Sequence, residues 1–354
     1  MFAQLIAAAL LANTAAATKA DSPTVAWEAP PTTLISIEEK VVERDGIRLA
    51  GTLRLPVGEK DVPAVVVFHT ASAPERDAAL YDHLEQLLPS LGIAVFTFDR
   101  RGTGASSGDA KGNAFDVLAD DGIAAAQMLA LDPRIDSRRI GFWGLSQGGW
   151  LSILAASRYK PTAFAISISA PMVTPDVQMI FASENILRIK GYSQADIDQA
   201  VAARKGLDDF MRGRLDRPSA QARIDAAAKE PWFDLIYLSR TFSDPDKSGW
   251  AKEIRHDPLA SIGNVTAPTL VLYGSADPWV PVATSMNRLQ GFTRAHPNFE
   301  AVVIDNADHT MMSSATPLEQ IDPGQFTKHA PDSPEYFARL AAWLQRKGIS
   351  RLAN

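Results

Sequence analysis

Gly144-Leu145-Ser146-Gln147-Gly148-Gly149 sets a serine between glycines immediately after the apolar run Ile140-Gly141-Phe142-Trp143. A serine on a sharp turn from strand to helix must take a strained backbone conformation, and glycines two residues to either side remove the Cβ atoms that would collide there. Such a turn pushes the Ser146 hydroxyl out at the carboxyl end of a sheet. With 22 glycines in the chain, a bare G-x-S-x-G arises by chance in roughly one such sequence in ten or twenty, so its flanks must carry the assignment. The alternative is a tight β-to-α turn whose serine only caps the helix. A serine hydroxyl is a poor nucleophile at neutral pH and needs a histidine to take its proton and a carboxylate to orient that histidine. Both occur late in the chain. Thr269-Leu270-Val271-Leu272-Tyr273 runs into Gly274-Ser275-Ala276-Asp277-Pro278, and Ala301-Val302-Val303-Ile304 runs into Asp305-Asn306-Ala307-Asp308-His309. The chemistry these residues would support is acyl transfer, with Ser146 as nucleophile, His309 as base and Asp277 as the orienting acid. Asp305 and Asp308 are the competing acids, and His329 is the reserve base.

Other chemistries find little footing. Six histidines, His69, His83, His256, His296, His309 and His329, are scattered without H-E-x-x-H or another tight spacing, so no metal is expected. The chain has no cysteine, which removes disulfides and thiolate metal sites and leaves the compartment open. Asp99 to Gly108 is a glycine-rich turn after a strand, but its third glycine comes one residue late for G-x-G-x-x-G, and no acidic residue ends a strand about twenty residues on. No dinucleotide or other cofactor is therefore expected.

The elements that must position these residues are legible as runs. Leu34 to Glu43 and Ile47 to Leu55 flank Asp45-Gly46, a hairpin signal, and would form an antiparallel pair at the start of a sheet. Ala64 to Phe68 is a continuous apolar run, as suits a strand buried on both faces, and it ends at His69. Leu80, Leu84, Leu87, Leu88 and Leu91 make one helical face stopped by Gly92. Ile93 to Phe98 and Phe164 to Ser169 read as strands, and a helix from Asp116 to Leu131 ends at Asp132-Pro133. Strand and helix thus alternate, as a mostly parallel α/β sheet requires, until Pro171.

From Met172 to Ile262 no strand pattern occurs, only helix-like pieces at Val177 to Lys190, Gln194 to Arg214, Ser219 to Lys229 and Trp232 to Thr241. Residues 172–262 read as a helical insertion between core segments 34–171 and 263–354. The insertion carries the aromatics Phe181, Tyr192, Phe210, Trp232, Phe233, Tyr237, Phe242 and Trp250, of which about a third are expected to face substrate while the rest bury the insertion's own core. Pro281 to Leu289 reads as a helix and Ser333-Pro334 starts a last one. Thr310 to Ala330, between them, reads as an irregular stretch placed to wall a pocket.

The order Ser146, Asp277, His309, together with the elbow at Gly144 to Gly148, resembles the serine hydrolases of the α/β-hydrolase superfamily over roughly residues 34 to 348. Among them the chain is most similar to single-domain esterases related to the dienelactone-hydrolase and prolyl-oligopeptidase branches. The resemblance implies an α/β-hydrolase fold whose helical insertion caps the active site, and hydrolysis of a small-molecule ester. It also implies an oxyanion hole built from the N–H of Gln147 and an N–H after the strand ending at Phe68. There the family has His-Gly-x-Gly, whereas this chain has His69-Thr70-Ala71-Ser72, so the second donor is Thr70 or Ala71. Asp99 to Ser106 matches the family's Asp-x-Arg-Gly-x-Gly-x-Ser loop, which gives Arg101 a structural role; His69 is likewise expected to bond only its own turn. The runners-up are a serine peptidase of aminopeptidase or dipeptidyl-peptidase type and a catalytically weak binding protein on the same scaffold.

At the amino end, residues 1–20 hold an apolar run from Leu5 to Leu11 followed by small residues, which reads as an export signal cleaved after Ala17 or Ala20. A proline-bearing extended lead-in, 21–33, follows. The expected location is periplasmic or secreted, with the cytoplasm as alternative. Losing Lys19 leaves 34 basic against 41 acidic residues, and no basic run has interleaved aromatics, so nucleic acid is not an expected partner. Beyond the signal no apolar stretch is long enough for stable membrane insertion.

Overall fold

The computed structural model describes residues 34–111, 113–313, 316–322 and 333–350. The expected export signal and lead-in, residues 1–33, and His329 lie outside the described residues.

Eight strands form one sheet: β1 (Ile35–Arg44), β2 (Ile47–Pro56), β3 (Val62–Phe68), β4 (Ala94–Phe98), β5 (Ile135–Leu145), β6 (Ala165–Ile168), β7 (Thr269–Gly274) and β8 (Phe299–Ile304). Their spatial order is β1-β2-β4-β3-β5-β6-β7-β8. The pairs β1/β2 and β2/β4 are antiparallel and every later pair is parallel. Asp45 and Gly46 both take positive φ, 51° and 76°, the backbone that a two-residue hairpin between twisted strands requires. β3, β4, β6 and β7 are buried along their whole length, which explains why they are apolar without alternation.

Successive side chains of β3 serve opposite faces. Val66 and Phe68 join Phe142 and the helices α2 (Phe115–Leu129) and α3 (Gln147–Arg158) in one core. Val65 and Val67 join Trp143, α1 (Asp82–Ser90) and α11 (Pro334–Arg346) in the other. The chain is an α/β protein with helices on both faces of a mostly parallel sheet, and the carboxyl ends of β3, β5, β7 and β8 come out along one edge, where ligand sites form in such sheets.

Between β6 and β7 run α4 (Pro175–Ile189), α5 (Gln194–Met211), α6 (Arg217–Ala227), α7 (Gly249–Glu253) and α8 (Pro258–Ile262). The helices α4 to α7 enclose an apolar cluster of their own around Leu207, Phe210, Trp232 and Phe233, whereas Ile262 of α8 packs with Ile153 and Val271. The helix expected over Trp232 to Thr241 is corrected to a single 3-10 turn, Phe233–Ile236, closed by Tyr237 at φ 54°. The buried Arg204 of α5 donates to the carbonyls of Ile236 (2.7 Å) and Tyr237 (3.0 Å), so these acceptors are satisfied without a continuing helix. After β7 come α9 (Val282–Ala295) and, beyond β8, the short α10 (Pro317–Gln320). α10 interrupts the stretch expected to be irregular; Thr316 and Glu319 form its capping box, a Thr-x-x-Glu signal present in the sequence.

Candidate active site

Ser146 sits between β5 and α3 at φ 58° and ψ −120°. A β-carbon on Gly144 would fall on the carbonyl of Gly148, and one on Gly148 would lie 2.7 Å from the Phe68 carbonyl carbon and 2.8 Å from the His69 oxygen. The elbow therefore closes against the end of β3 with no room for a side chain, and the obstacles are backbone. Gly148→Ala is expected to destabilise the fold by about 3 kcal/mol or more, read by urea denaturation; a midpoint like that of the wild type would show that the elbow has slack.

His309 Nδ1 lies 2.6 Å from Asp277 Oδ2. Asp277 Oδ1 accepts from the N–H groups of Trp279 (2.8 Å) and Val280 (3.1 Å), which hold the carboxylate in place. Burial alone would depress the His309 pKa, but the Asp277 charge and hydrogen bond, with Asp308 adding, keep it above the ordinary value. Asp308 is turned the other way, accepting from Thr310 N–H (2.7 Å) and Met312 N–H (2.9 Å) in its own loop. Asp305 is exposed and takes the Ser275 hydroxyl at 3.2 Å. Of the three candidate acids, Asp277 is the one the fold brings to His309. Gln320 of α10 ties the two loops together: its Oε1 accepts from His309 N–H (3.3 Å) and its Nε2 donates to Ala276 O (2.6 Å).

The loop after β3 settles which N–H groups are open. Thr70 N–H donates to the Tyr81 hydroxyl at 3.0 Å, so the expectation that it is an alternative oxyanion donor is corrected. The Thr70 hydroxyl in turn accepts from Ser72 N–H (3.0 Å) and Ala73 N–H (3.3 Å), holding by side chain a turn that glycines shape elsewhere. Gln147 N–H, at the start of α3, has no intrahelical acceptor, and among the described residues neither it nor Ala71 N–H has another partner. His69 is buried, with burial pulling its pKa down to about 3, and lies edge-on to Tyr81 and Phe98. Arg101 forks onto Asp121. The His69 ring bonds the backbone of Phe98 in β4 rather than its own turn, and its Nε2 is buried without a partner among the described residues.

Ser146, Gln147, Ala71 and His309 line one cavity of ≈ 390 Å³, with Trp150 and Val280 beside them. Its opposite wall comes from the insertion. Three of the eight insertion aromatics face it, Tyr237, Phe242 and Trp250, together with Leu207, Met211, Arg204 and Glu253; Trp232 and Phe233 instead fill the insertion's own core. The insertion also grips the loop that carries the acid. Gln178 Nε2 donates to Trp279 O (3.0 Å), Asn185 Nδ2 to Pro278 O (2.9 Å), and Trp279 Nε1 to the Tyr237 hydroxyl (2.9 Å). Among the described residues no cluster of His, Asp and Glu suits a metal ion, and no helix is long and apolar enough to cross a membrane.

Residues 45–311, more than half of the chain, match the X-Pro dipeptidyl-peptidase (S15 family). The chain belongs to the S15 family. This S15 member is 30% identical over 161 residues to the thiohydrolase aneE of Aspergillus aculeatus, a match covering 45% of this chain and 48% of that protein. It is 31% identical over 121 residues to a probable dipeptidyl-aminopeptidase B of Aspergillus oryzae, covering 32% of this chain and 13% of the other. The S15 chain thus spans under half of the first relative and a small part of the second. Among solved structures it is similar to the esterase Pf2001 of Pyrococcus furiosus, with TM-score 0.53, 20% identity and coverage of 89% and 91%. It is also similar to the acylaminoacyl peptidase of Pyrococcus horikoshii, with TM-score 0.55, 15% identity and coverage of 92% and 43%. These likenesses establish an α/β-hydrolase fold.

Proposed function

We propose that the chain hydrolyses carboxylic esters through an acyl-enzyme on Ser146. The observation that carries this reading is the buried 2.6 Å pair of His309 and Asp277 beside a cavity lined by Ser146, Gln147 and Ala71, the last two with N–H groups that have no partner among the described residues. Asp277 keeps the proton on Nδ1, which leaves Nε2 as the base. Nε2 takes the Ser146 proton as Oγ bonds to the ester carbonyl carbon, and the oxyanion is received by the N–H groups of Gln147 and Ala71. Collapse breaks the bond to the alcohol oxygen, which leaves with the proton from His309. Water then gives a proton to His309 and attacks the acyl carbon, and the acid departs as Ser146 Oγ recovers its proton. The insertion acts as a cap, and the apolar part of its wall, Leu207, Met211, Phe242 and Trp250, suits an acyl chain.

A second reading, release of amino-terminal dipeptides, has the family's name and one residue in its favour. Asp176 and Glu184 of the insertion are held by Arg212 (2.6 Å) and Arg188 (3.1 Å). Glu253, by contrast, lines the cavity, and burial, opposed by the charge of Arg100, pushes its pKa up to about 7. A substrate ammonium group beside it would restore its charge. The deciding experiment compares unactivated alkyl esters with a broad peptide panel. Turnover of several esters with peptides at background is expected. Peptide turnover near 10⁴ M⁻¹s⁻¹ in kcat/KM, roughly the lower edge of ordinary enzymes, with alkyl esters inert and the peptide activity lost in Glu253→Gln, would establish the second reading instead.

A further inference from the structure

We propose that Arg100 is the positioning residue of the oxyanion hole, fixing the Thr70–Ala71 peptide from behind so that Ala71 N–H faces the cavity. This deepens the reading of Ser146 as a nucleophile and rests on it. The argument is one of peptide planes. In a trans peptide the C=O and the next N–H point in opposite directions, and the described residues contain no cis bond. Arg100 Nη2 donates to His69 O at 3.0 Å and to Thr70 O at 3.3 Å. Drawing His69 O to one side sends Thr70 N–H to the other, where the Tyr81 hydroxyl accepts it at 3.0 Å. Drawing Thr70 O toward Arg100 sends Ala71 N–H the opposite way, and Ala71 is the residue of this turn that lines the cavity with Ser146. Ser72 and Ala73 have spent their N–H groups on the Thr70 hydroxyl, so Ala71 alone of residues 70–73 keeps a donor open among the described residues.

The backbone of Arg100 is itself anchored, its N–H donating to Pro74 O at 2.9 Å. The guanidinium stays cationic and sets a positive charge behind the peptide that would receive a developing oxyanion. Tyr81, Glu253 and Asp121 are the titratable groups whose fields act on it. In place of glycines that let the backbone find its orientation, this chain uses side chains to impose it, Thr70 and Tyr81 holding the turn and Arg100 drawing its carbonyls to one side.

The test compares Arg100→Met and Arg100→Lys with the wild type in ester kcat and KM and in affinity for an alkyl trifluoromethyl ketone, which places a tetrahedral oxyanion in the hole. Loss of a whole oxyanion donor costs about 10²–10³ in kcat; a donor left present but misaimed should cost about 10–100-fold, with KM changed by less than about threefold. Affinity for the ketone should fall by the same factor, and Arg100→Lys, which keeps the charge without the planar fork, should recover part of both. If Arg100→Met does not fold, Tyr81→Phe, which removes the acceptor of Thr70 N–H, should give the same pairing of lowered kcat with lowered ketone affinity. Folded variants with wild-type kcat, or with lowered kcat and undiminished ketone affinity, would overturn the proposal. Fluorophosphonate labelling of wild-type Ser146 separates the two levels: an unlabelled wild type sinks the nucleophile reading, whereas a labelled wild type with unaffected Arg100 variants sinks only this one.

Discussion

Ser146→Ala is expected to lose up to roughly a million-fold in ester kcat while its melting temperature stays within a few degrees of the wild type. The size follows from what is removed. Without Oγ there is no bond to the acyl carbon, and His309, Asp277 and the open donors at Gln147 and Ala71 can only help water. The mild effect on stability follows from the elbow, whose ties are backbone: Ser146 N–H donates to Ile168 O at 2.8 Å and Gly149 N–H to Ser146 O at 2.9 Å. Alanine keeps both. It meets the same strain at φ 58° that serine does, since the clash in this region comes from Cβ. Full activity at an unchanged melting temperature would remove Ser146 from the mechanism.

Asp277→Asn is expected to cost on the order of ten-thousand-fold, because an amide donating to Nδ1 favours the tautomer with its proton on Nε2, where the base must be empty. A pH signature accompanies the loss. In the wild type kcat/KM for a neutral ester should rise with pH as His309 deprotonates, with its limb centred above the ordinary imidazole value, because Asp277 and Asp308 outweigh burial. Without the Asp277 charge, burial is less opposed, so the limb of the residual activity should move to lower pH. Asp305→Asn and Asp308→Asn should cost far less, since those carboxylates serve Ser275, Thr310 and Met312. A crippled Asp305→Asn beside a mild Asp277→Asn would reverse the assignment of the acid.

The sheet was legible because its inner strands are buried on both faces, so Ala64 to Phe68 and Thr269 to Tyr273 stand out as unbroken apolar runs bounded by turn residues. The serine, histidine and acid were legible for the same reason: each follows such a run, and the ends of neighbouring parallel strands are neighbours in space. Choosing Thr70 or Ala71 needed Tyr81, whose hydroxyl takes one N–H and leaves the other, and nothing in the spacing of those residues announces that contact. Arg100, Gln320 and Glu253 escaped notice because each is a polar residue outside any periodic pattern. Their partners are backbone atoms of distant loops or the cavity itself, which a linear pattern does not register. The Trp232 to Thr241 helix failed through a tertiary override, Arg204 satisfying carbonyls that local propensity would have assigned to a helix.

Three hydrogen bonds, two donated by Gln178 and Asn185 and one accepted by the Tyr237 hydroxyl, join the insertion to the Pro278-Trp279 segment of the loop that carries Asp277. Trp279 contributes at both ends: its N–H holds Asp277 Oδ1 at 2.8 Å and its ring lies 5.4 Å from that of His309. On the proposed mechanism, selectivity and basicity are therefore not separately adjustable. On the proposed ester reading, a lineage that reshaped α4 to admit a different acyl group would strain the Pro278 and Trp279 carbonyls on which the Asp277 loop hangs, and pH range would drift with substrate range. On the same reading, divergence toward new substrates is freer around Phe242 and Trp250, which line the same cavity and are not among the residues that hold that loop.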